Sequence, residues 1–269
     1  MRRQPDKTNI YKVTPNSNLK IHLFLPEGQT KSTPVILFFH GGAFMKGHPA
    51  QFFAQCAYLS ERGMVAGSVE YRLLKNGAKD IGDCLADSKS AIRWLRANHE
   101  VLNINPDQIV AGGGSAGGNL AANCAMIAGF DDPLDDLSIT AVPNALVLLN
   151  PVLFPPAVAG GPDDHRFYSI DHIRKNLPPT LILHGTQDPI LPFSQMLHFA
   201  QKMKQASNRC ELIGFDKQGH GFFNLGRDKN RPFYESLLVT DQFLTDNGFL
   251  SGTPHLTYEN VKNWSNVRR

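Results

Sequence analysis

One serine of this chain lies in a setting that would make its hydroxyl a nucleophile. Ser115 stands in the segment 113–117, Gly-Gly-Ser-Ala-Gly, which is a G-x-S-x-G pattern between a short apolar strand and a helix of small residues. Flanking glycines allow a sharp turn that exposes the hydroxyl at the helix N-terminus, where the helix dipole favours developing negative charge. Phosphate binding is less favoured, since neither G-x-G-x-x-G in register nor G-x-x-x-x-G-K-[ST] is present.

A second glycine-rich segment could supply hydrogen-bond donors to the same reaction. His40-Gly41-Gly42-Ala43 follows the apolar run 34–39, which has the composition of a strand buried on both faces. Consecutive glycines present bare backbone N–H groups. We predict that the N–H groups of Gly41, Gly42 and Ala116 form an oxyanion hole, which would stabilise the tetrahedral intermediate of an acyl transfer.

A serine hydroxyl becomes a nucleophile at neutral pH only with a general base, and a carboxylate must fix the tautomer of that base. His220 is the favoured base, in a glycine-flanked loop after the strand-like run 210–215. Asp188 is the favoured acid, after the apolar run 180–184. Ligands of an open parallel sheet bind beyond the carboxyl ends of its strands, so we expect both loops to meet Ser115.

The other histidines and nearby carboxylates fit these roles less well. His40 and His184 each end a strand just before a glycine, where a structural role is expected. The remaining histidines are His22, His48, His99, His165, His172, His198 and His255, in an outer strand, a loop, helices, an irregular segment or the tail. Asp216 lies only four residues before His220, and Asp163, Asp164 and Asp171 fall in the irregular segment.

The elements that must position these residues alternate along the chain. Apolar runs predict strands over 10–14, 19–25, 34–39, 64–69, 108–111, 145–150, 180–184 and 210–215. Amphipathic or small-residue segments predict helices over 49–62, 79–98, 119–128, 193–206 and 232–246. The alternation predicts an α/β fold with a mostly parallel central sheet and helices on both faces.

We expect a single domain over 1–269 with three additions. Residues 1–33 form an N-terminal extension, 154–179 a small cap-like insertion rich in Pro and Gly, and 252–269 a loose polar tail. The apolar residues nearest the strand ends either line a substrate pocket or pack in the core, and both interpretations stay open; they are Phe44, Phe154, Leu191, Phe222 and Phe223. Tyr71 and Arg72 are expected to form a buried structural pair.

Composition excludes several classes of protein. A net charge of +3 over 269 residues is too small and too scattered to indicate nucleic-acid binding. No stretch of apolar residues is long enough for a transmembrane helix, and the first residues lack the apolar core of a signal peptide. A cytoplasmic location is therefore expected unless a signal was removed.

The cysteines predict neither a zinc site nor any other metal site. Cys56, Cys84, Cys124 and Cys210 form no CxxC and no Cys/His cluster with ligand spacing. Four widely spaced cysteines are expected to be buried thiols, although a disulfide remains an alternative.

Together these motifs resemble the α/β-hydrolase superfamily over residues 34–247. The likeness is greatest to small carboxylesterases of the hormone-sensitive-lipase-like and acetyl/feruloyl-esterase-like groups, and it is carried by segments 40–44, 69–73, 105–109, 113–120, 184–188 and 219–222. The chain order Ser115, Asp188, His220 is that of this superfamily. The resemblance implies serine-dependent ester hydrolysis without a cofactor.

Departures from the hormone-sensitive-lipase-like pattern narrow the expected substrate. Gly114 precedes the serine where those enzymes usually have an acidic residue, and segment 74–76 reads Leu-Lys-Asn rather than Ala-Pro-Glu. Only about 33 residues precede the first buried strand, too few for the usual helical cap. The likeness therefore leans toward compact esterases that act on short acyl esters, or on acetyl or feruloyl groups of plant polysaccharides.

Three other functions remain as alternatives. An amidase or peptidase could use the same triad, because amides and esters share the tetrahedral path. A long-chain lipase would need a larger apolar lid than residues 154–179 offer. A ligand-binding protein on the same fold commonly lacks the nucleophile or the base, whereas both are present here.

Overall fold

A central eight-stranded sheet positions every segment singled out above. The computed structural model describes residues 4–29, 32–154 and 164–264. In chain order the strands are β1 (Lys7–Val13), β2 (Asn18–Phe24), β3 (Thr33–Phe39), β4 (Val65–Val69), β5 (Ile104–Gly114), β6 (Ala145–Leu149), β7 (Thr180–Gly185) and β8 (Cys210–Phe215). Across the sheet they run β1-β2-β4-β3-β5-β6-β7-β8.

All pairings from β4 to β8 are parallel, while β1 pairs antiparallel with β2, and β2 with β4. The mostly parallel sheet was predicted. Parallel strands need crossover connections, which cover both faces and explain the apolar runs of β4, β6 and β7. The carboxyl ends of β3, β5, β7 and β8 consequently share one edge of the sheet.

Helices cover both faces of this sheet. They are α1 (Phe53–Glu61), α2 (Ile81–Ala97), α3 (His99–Leu102), α4 (Ala116–Met126), α5 (Phe193–Gln205), α6 (Arg231–Asp246) and α7 (Tyr258–Val261). Helices α2, α4 and α5 bury their apolar sides in one core cluster, and α1 and α6 in a second one. No helix in the described part of the chain is long and apolar enough to cross a membrane.

Two helix starts differ from the expectation by more than two residues or in the type of helix. The helix predicted over 49–62 begins as a 3-10 turn, Pro49–Phe52, before α1. Helix α4 begins at Ala116 rather than Asn119, because the chain turns from strand to helix at Ser115 alone. Small residues in this turn carry little periodicity, so the sequence pattern did not show the start.

The expectation of a loose C-terminal tail is wrong for the residues that the structure describes. Val261 is fully buried in the second core cluster, and the ring centroid of Trp264 lies 6.0 Å from that of Phe233. The Asn230 side chain donates a hydrogen bond to the Val261 carbonyl at 2.9 Å. The segment from Val261 to Trp264 therefore packs beside α6 as part of the second core cluster. Residues 265–269 lie outside the described residues.

The predicted insertion is described only from residue 164 onward, since 155–163 lie outside the described residues. Two 3-10 turns, His165–Phe167 and Ser169–His172, pack against α4. Asn119 and Asn123 of α4 both donate to the carbonyl of Phe167, at 2.9 and 3.0 Å. The described part of the insertion is thus anchored on the helix that follows Ser115.

All four cysteines are buried free thiols, as expected from their spacing. Burial raises the pKa of Cys124 and of Cys210 to about 12. A thiol with so high a pKa carries almost no thiolate at neutral pH, so neither cysteine is a nucleophile.

Candidate active site

Ser115 occupies a strained turn between β5 and α4. Its backbone has φ +54° and ψ −118°, a conformation that side-chain-bearing residues rarely adopt. The following glycine is required by contact, because a Cβ on Gly117 would lie 2.0 Å from the Phe39 carbonyl oxygen. The Ser115 N–H donates to Leu149 O at 3.0 Å, which ties the turn to β6. The surrounding backbone therefore holds the serine in the geometry predicted from G-x-S-x-G.

Asp188 and His220, predicted as acid and base, are directly hydrogen-bonded. Asp188 follows β7 and His220 follows β8, and the Nδ1 of His220 lies 2.8 Å from Oδ2 of Asp188. An ionised carboxylate can only accept, so Nδ1 carries the hydrogen and Nε2 is left as the acceptor. The Asp188 side chain is fully buried, whereas that of His220 is 22% exposed. The imidazole is thus oriented by a buried carboxylate while its own side chain is partly exposed.

Several donors converge on Asp188 and keep it ionised. Its Oδ1 accepts the N–H groups of Ile190 at 2.9 Å and Leu191 at 3.1 Å, and the Asn150 side chain donates to Oδ2. Burial alone would raise the pKa of Asp188, but the bonds from His220 and from these N–H groups outweigh it and lower the pKa to about 2. Asn150 was not predicted from the sequence, because it directly follows β6 and belongs to no recognisable motif.

His184 has the structural position expected for it. Its buried Nε2 donates to the Leu191 carbonyl at 2.8 Å, which braces the loop that presents Asp188. Burial lowers the pKa of His184, so the ring stays neutral beside the carboxylate. The ring holds the loop rather than exchanging protons with a substrate.

Side chains hold the loop after β3 in place through hydrogen bonds to its carbonyls and to one of its N–H groups. Tyr71 donates its hydroxyl to His40 O at 2.7 Å, and His40 Nδ1 donates to Gly41 O at 2.9 Å. Burial lowers the pKa of His40 to about 4, so this ring is neutral at physiological pH. Tyr71 thus supports the loop, while Arg72 pairs with Asp87 at 2.8 Å instead; the expected Tyr–Arg pair is wrong.

The assignment of Gly41 as an oxyanion donor needs correction. Its N–H already donates to Oε1 of Gln51 at 2.7 Å. The Gly41 carbonyl points to the His40 ring, and a trans peptide directs the following N–H, that of Gly42, to the opposite side. Which N–H is available depends on backbone orientation, and a run of glycines does not specify it.

Three other N–H groups stay available beside the serine. Within the described ranges, the N–H groups of Gly42 and Ala43 donate to no protein acceptor. Ala116 is the first residue of α4, where an N–H has no partner within the helix. A Cβ on Gly41 would lie 3.4 Å from the Ser115 Cβ, which places this loop against the nucleophile turn. Gly42 and Ala116 thus remain candidate donors, and Ala43 joins them.

The His220 loop reaches the same turn from the other side. A Cβ on Gly114 would lie 2.4 Å from Cζ of Phe223, so this ring packs directly against the residue before Ser115. Phe223 also stacks on Phe52, with ring centroids 5.8 Å apart. The segment from His220 to Phe223 therefore runs from Asp188 to the Ser115 turn.

Most of the apolar residues considered for a pocket are packed in the core. Phe222 and Phe223 are each 1% exposed in the second core cluster, and Leu191 and Phe44 are buried as well. The core interpretation therefore fits these four. Phe154 is only partly buried, and its ring lies 6.0 Å from that of His198. A pocket role stays a prediction for Phe154, which is the first residue of the insertion and the last of the described range 32–154.

The described residues contain no group of three or more His, Cys, Asp or Glu side chains that could hold a metal ion. The groups that the site offers for chemistry are its serine, imidazole, carboxylate and backbone N–H groups.

Comparison with known families agrees with this arrangement. The family model BD-FAE matches residues 21–145, which include the loop after β3 and the Ser115 turn. The model of the dienelactone hydrolase family matches residues 167–240, which include Asp188 and His220.

Curated relatives are esterases. Esterase LipC of Mycobacterium tuberculosis is 28% identical over 76% of this chain and 56% of its own length. A probable isoprenylcysteine alpha-carbonyl methylesterase, ICME of Oryza sativa, is 26% identical over 81% of this chain and 58% of its own length. The chain thus spans little more than half the length of these relatives.

A solved structure is similar over almost its whole length. Thermogutta terrifontis esterase 2, phosphoramylated by tabun, is 40% identical, with a TM-score of 0.87 over 92% of this chain and 96% of the other. The fold and the site define a hydrolase of the α/β class. Within it, the chain belongs to the serine carboxylesterases of the hormone-sensitive-lipase-like group.

Proposed function

We propose that this protein hydrolyses short-chain carboxylic esters through a covalent acyl-enzyme on Ser115. The observation that carries the proposal is the 2.8 Å bond from His220 Nδ1 to Asp188, because it leaves Nε2 of the partly exposed ring as an acceptor that can serve as base. Family membership supports ester hydrolysis in general, and the geometry supports these three residues.

In the proposed acylation step, His220 Nε2 takes the hydroxyl proton of Ser115 as Oγ attacks the ester carbonyl. The tetrahedral intermediate collapses when the carbon–oxygen bond to the alcohol breaks, and the imidazolium returns its proton to the departing alcohol. Asp188 stays ionised throughout and stabilises the imidazolium. The products of this step are the free alcohol and an acyl ester of Ser115.

In deacylation, water attacks the acyl carbonyl while His220 accepts its proton. Collapse of the second tetrahedral intermediate releases the carboxylic acid, and the proton passes back to Ser115. The N–H groups of Gly42 and Ala116, together with Ala43, are the proposed oxyanion donors in both steps. Gly41 is left out, since its N–H is engaged by Gln51.

Short acyl groups are the proposed substrates. Thermogutta terrifontis esterase 2 has been solved with propionate and with butyrate bound. Acetyl or feruloyl groups on polysaccharide are a narrower form of the proposal, which rests on the sequence resemblance to compact esterases. An amidase or peptidase with the same triad remains the second candidate, because its chemistry uses the same groups.

A substrate panel tests the proposal. Purified protein is assayed on p-nitrophenyl acetate, butyrate and octanoate, on methyl ferulate, on acetylated xylan and on an anilide matched to the acetate. We expect hydrolysis of acetate and butyrate, a steep fall toward octanoate and little anilide cleavage. Faster octanoate turnover would favour a lipase, and equal anilide turnover an amidase. Absence of all turnover, and of labelling by a fluorophosphonate, would favour a binding protein.

A further inference from the structure

Two side-chain amides connect the loop after β3 with the loop that carries His220. The Gly41 N–H donates to Gln51 Oε1 at 2.7 Å, and Gln51 Nε2 donates to Asn224 Oδ1 at 3.0 Å. Asn224 Nδ2 then donates to the Gly221 carbonyl at 2.8 Å. The result is an unbroken chain of hydrogen bonds from Gly41, beside the candidate oxyanion donors, to the residue after His220.

The direction of this chain is determined by its two ends. A backbone N–H at Gly41 can only donate, so the oxygen of Gln51 must face it and the NH₂ group must face away. A carbonyl at Gly221 can only accept, so the NH₂ group of Asn224 must face it. The two remaining amide atoms are then a donor and an acceptor. Only one orientation of the two amides satisfies every bond.

Close contacts around the Gln51 and Asn224 side chains limit the movement of the loops that these amides connect. Gly221 has φ +77°, and a Cβ there would lie 2.8 Å from Asn224 Nδ2, so the amide packs closely on the backbone. One turn further along the chain, at the start of α1, Gln55 donates to the Phe223 carbonyl at 3.1 Å. The 3-10 turn Pro49–Phe52 and the start of α1 therefore contact the His220 loop at successive points, and Gln51 of that turn bonds both loops.

We propose that Gln51 and Asn224 are positioning residues that hold the candidate oxyanion donors and His220 at a fixed separation around Ser115. This rests on the proposed function. Proton transfer and oxyanion stabilisation occur in one transition state, so donors and base must be correctly placed at the same moment. Neither amide touches the reacting atoms in this scheme. Their loss should lower kcat with little effect on KM, since substrate binding in the ground state does not depend on the separation between the oxyanion donors and His220.

A double-mutant cycle tests the link. Gln51→Met and Asn224→Leu are made singly and together, with Gln55→Met as the matched control, and kcat, KM and Tm are measured on p-nitrophenyl acetate. We expect each single variant to lose about 10- to 100-fold in kcat with KM within about threefold. The double variant should be no slower than the slower single variant, because either substitution breaks the same chain. Gln55→Met should keep kcat within about threefold.

Three results would overturn the proposal: losses that multiply in the double variant, a rise in KM with unchanged kcat, or an equal kcat loss in Gln55→Met. If Gln51→Met does not fold, Gln51→Glu replaces it. That variant keeps an acceptor for Gly41 but, ionised, cannot donate to Asn224; adding Asn224→Leu should then have no further effect. If the unaltered protein hydrolyses no ester, the proposed function has failed, which is distinct from failure of the link.

Discussion

The two sides of the candidate site use different chemical groups: ionisable side chains on one side and backbone N–H groups on the other. On one side, Asp188 and His220 contact each other through charged or ionisable side chains, and a full carboxylate is buried. On the other side, Gly42 and Ala43 offer backbone N–H groups in a loop held by neutral residues, including a His40 ring with a lowered pKa. Side-chain chemistry determines the first side, whereas backbone direction determines the second.

This difference explains what residue patterns can reveal about each side. A histidine and an aspartate after neighbouring strands suggest their roles by residue type alone. An N–H group belongs to every residue except proline, so its availability depends on φ, ψ and its competitors. Substitutions on the two sides should accordingly differ in the size of their effect and in its pH dependence.

The largest loss is expected from His220→Ala. Without a base, Ser115 keeps its proton at neutral pH, so kcat should fall by about 10⁴-fold or more. Steady-state kinetics on p-nitrophenyl acetate check this, with His255→Ala, an exposed histidine of the C-terminal segment, as the control. A variant that keeps a tenth of the activity would remove His220 from the mechanism.

Asp188→Asn should follow, with a loss of about 10³- to 10⁴-fold in kcat and little change in KM. The amide can donate to Nδ1 and so favours the wrong tautomer of His220. Asp241→Asn is the matched control, since Asp241 is also buried and also paired, with Arg62, but lies away from the site. Equal losses in the two variants would point to general damage.

The same substitution should change how stability depends on pH. The pKa of Asp188 is lowered to about 2 in the folded protein, below the usual aspartate value near 3.9. Its contribution to the free energy of unfolding is therefore present above about pH 4 and is lost as pH falls toward 2. Urea unfolding between pH 2 and 5 should give a flatter dependence in Asp188→Asn. An unchanged slope would contradict the shift.

On the backbone side, Gly42→Ala should lower kcat by about 100-fold. Gly42 has φ +129°, and a Cβ there would lie 1.9 Å from the Lys46 carbonyl oxygen, so the loop must move and its N–H with it. Gly129→Ala is the control, because it has φ +77° but open space around it and lies away from Ser115. We expect full activity in the control and an undisturbed pH profile of kcat in Gly42→Ala; equal losses in the two variants would contradict the role of Gly42.

The smallest effect is expected from Tyr71→Phe, with a loss of about 3- to 10-fold in kcat. The hydroxyl donates to His40 O at 2.7 Å, two residues before Gly42, and so acts on the candidate donors only through the backbone. Tyr258→Phe is the control, since that hydroxyl also donates to a backbone carbonyl, Lys229 O at 3.1 Å, in the C-terminal segment. Equal kcat losses would contradict a specific role for Tyr71.

Sequence patterns predicted the sheet and the three residues of the candidate triad. Apolar runs mark β3, β6 and β7 because both sheet faces are covered, and glycines mark the Ser115 turn because side chains would collide there. Gln51, Asn150 and Asn224 were not predicted, since an amide in a helix or loop has no distinctive spacing. The packed tail was also missed: Val261 stands among polar residues, and its burial depends on long-range contact with α6.

The central claim, that Ser115 is the nucleophile activated by His220, is tested most directly by covalent labelling. Thermogutta terrifontis esterase 2 has been solved phosphorylated by paraoxon. Paraoxon is incubated with the protein, with Ser115→Ala and with His220→Ala, and peptides are analysed by mass spectrometry. We expect one diethylphosphoryl group on Ser115, none in Ser115→Ala and labelling slowed by orders of magnitude in His220→Ala. Equal labelling of all three proteins, or a label on another serine, would contradict it.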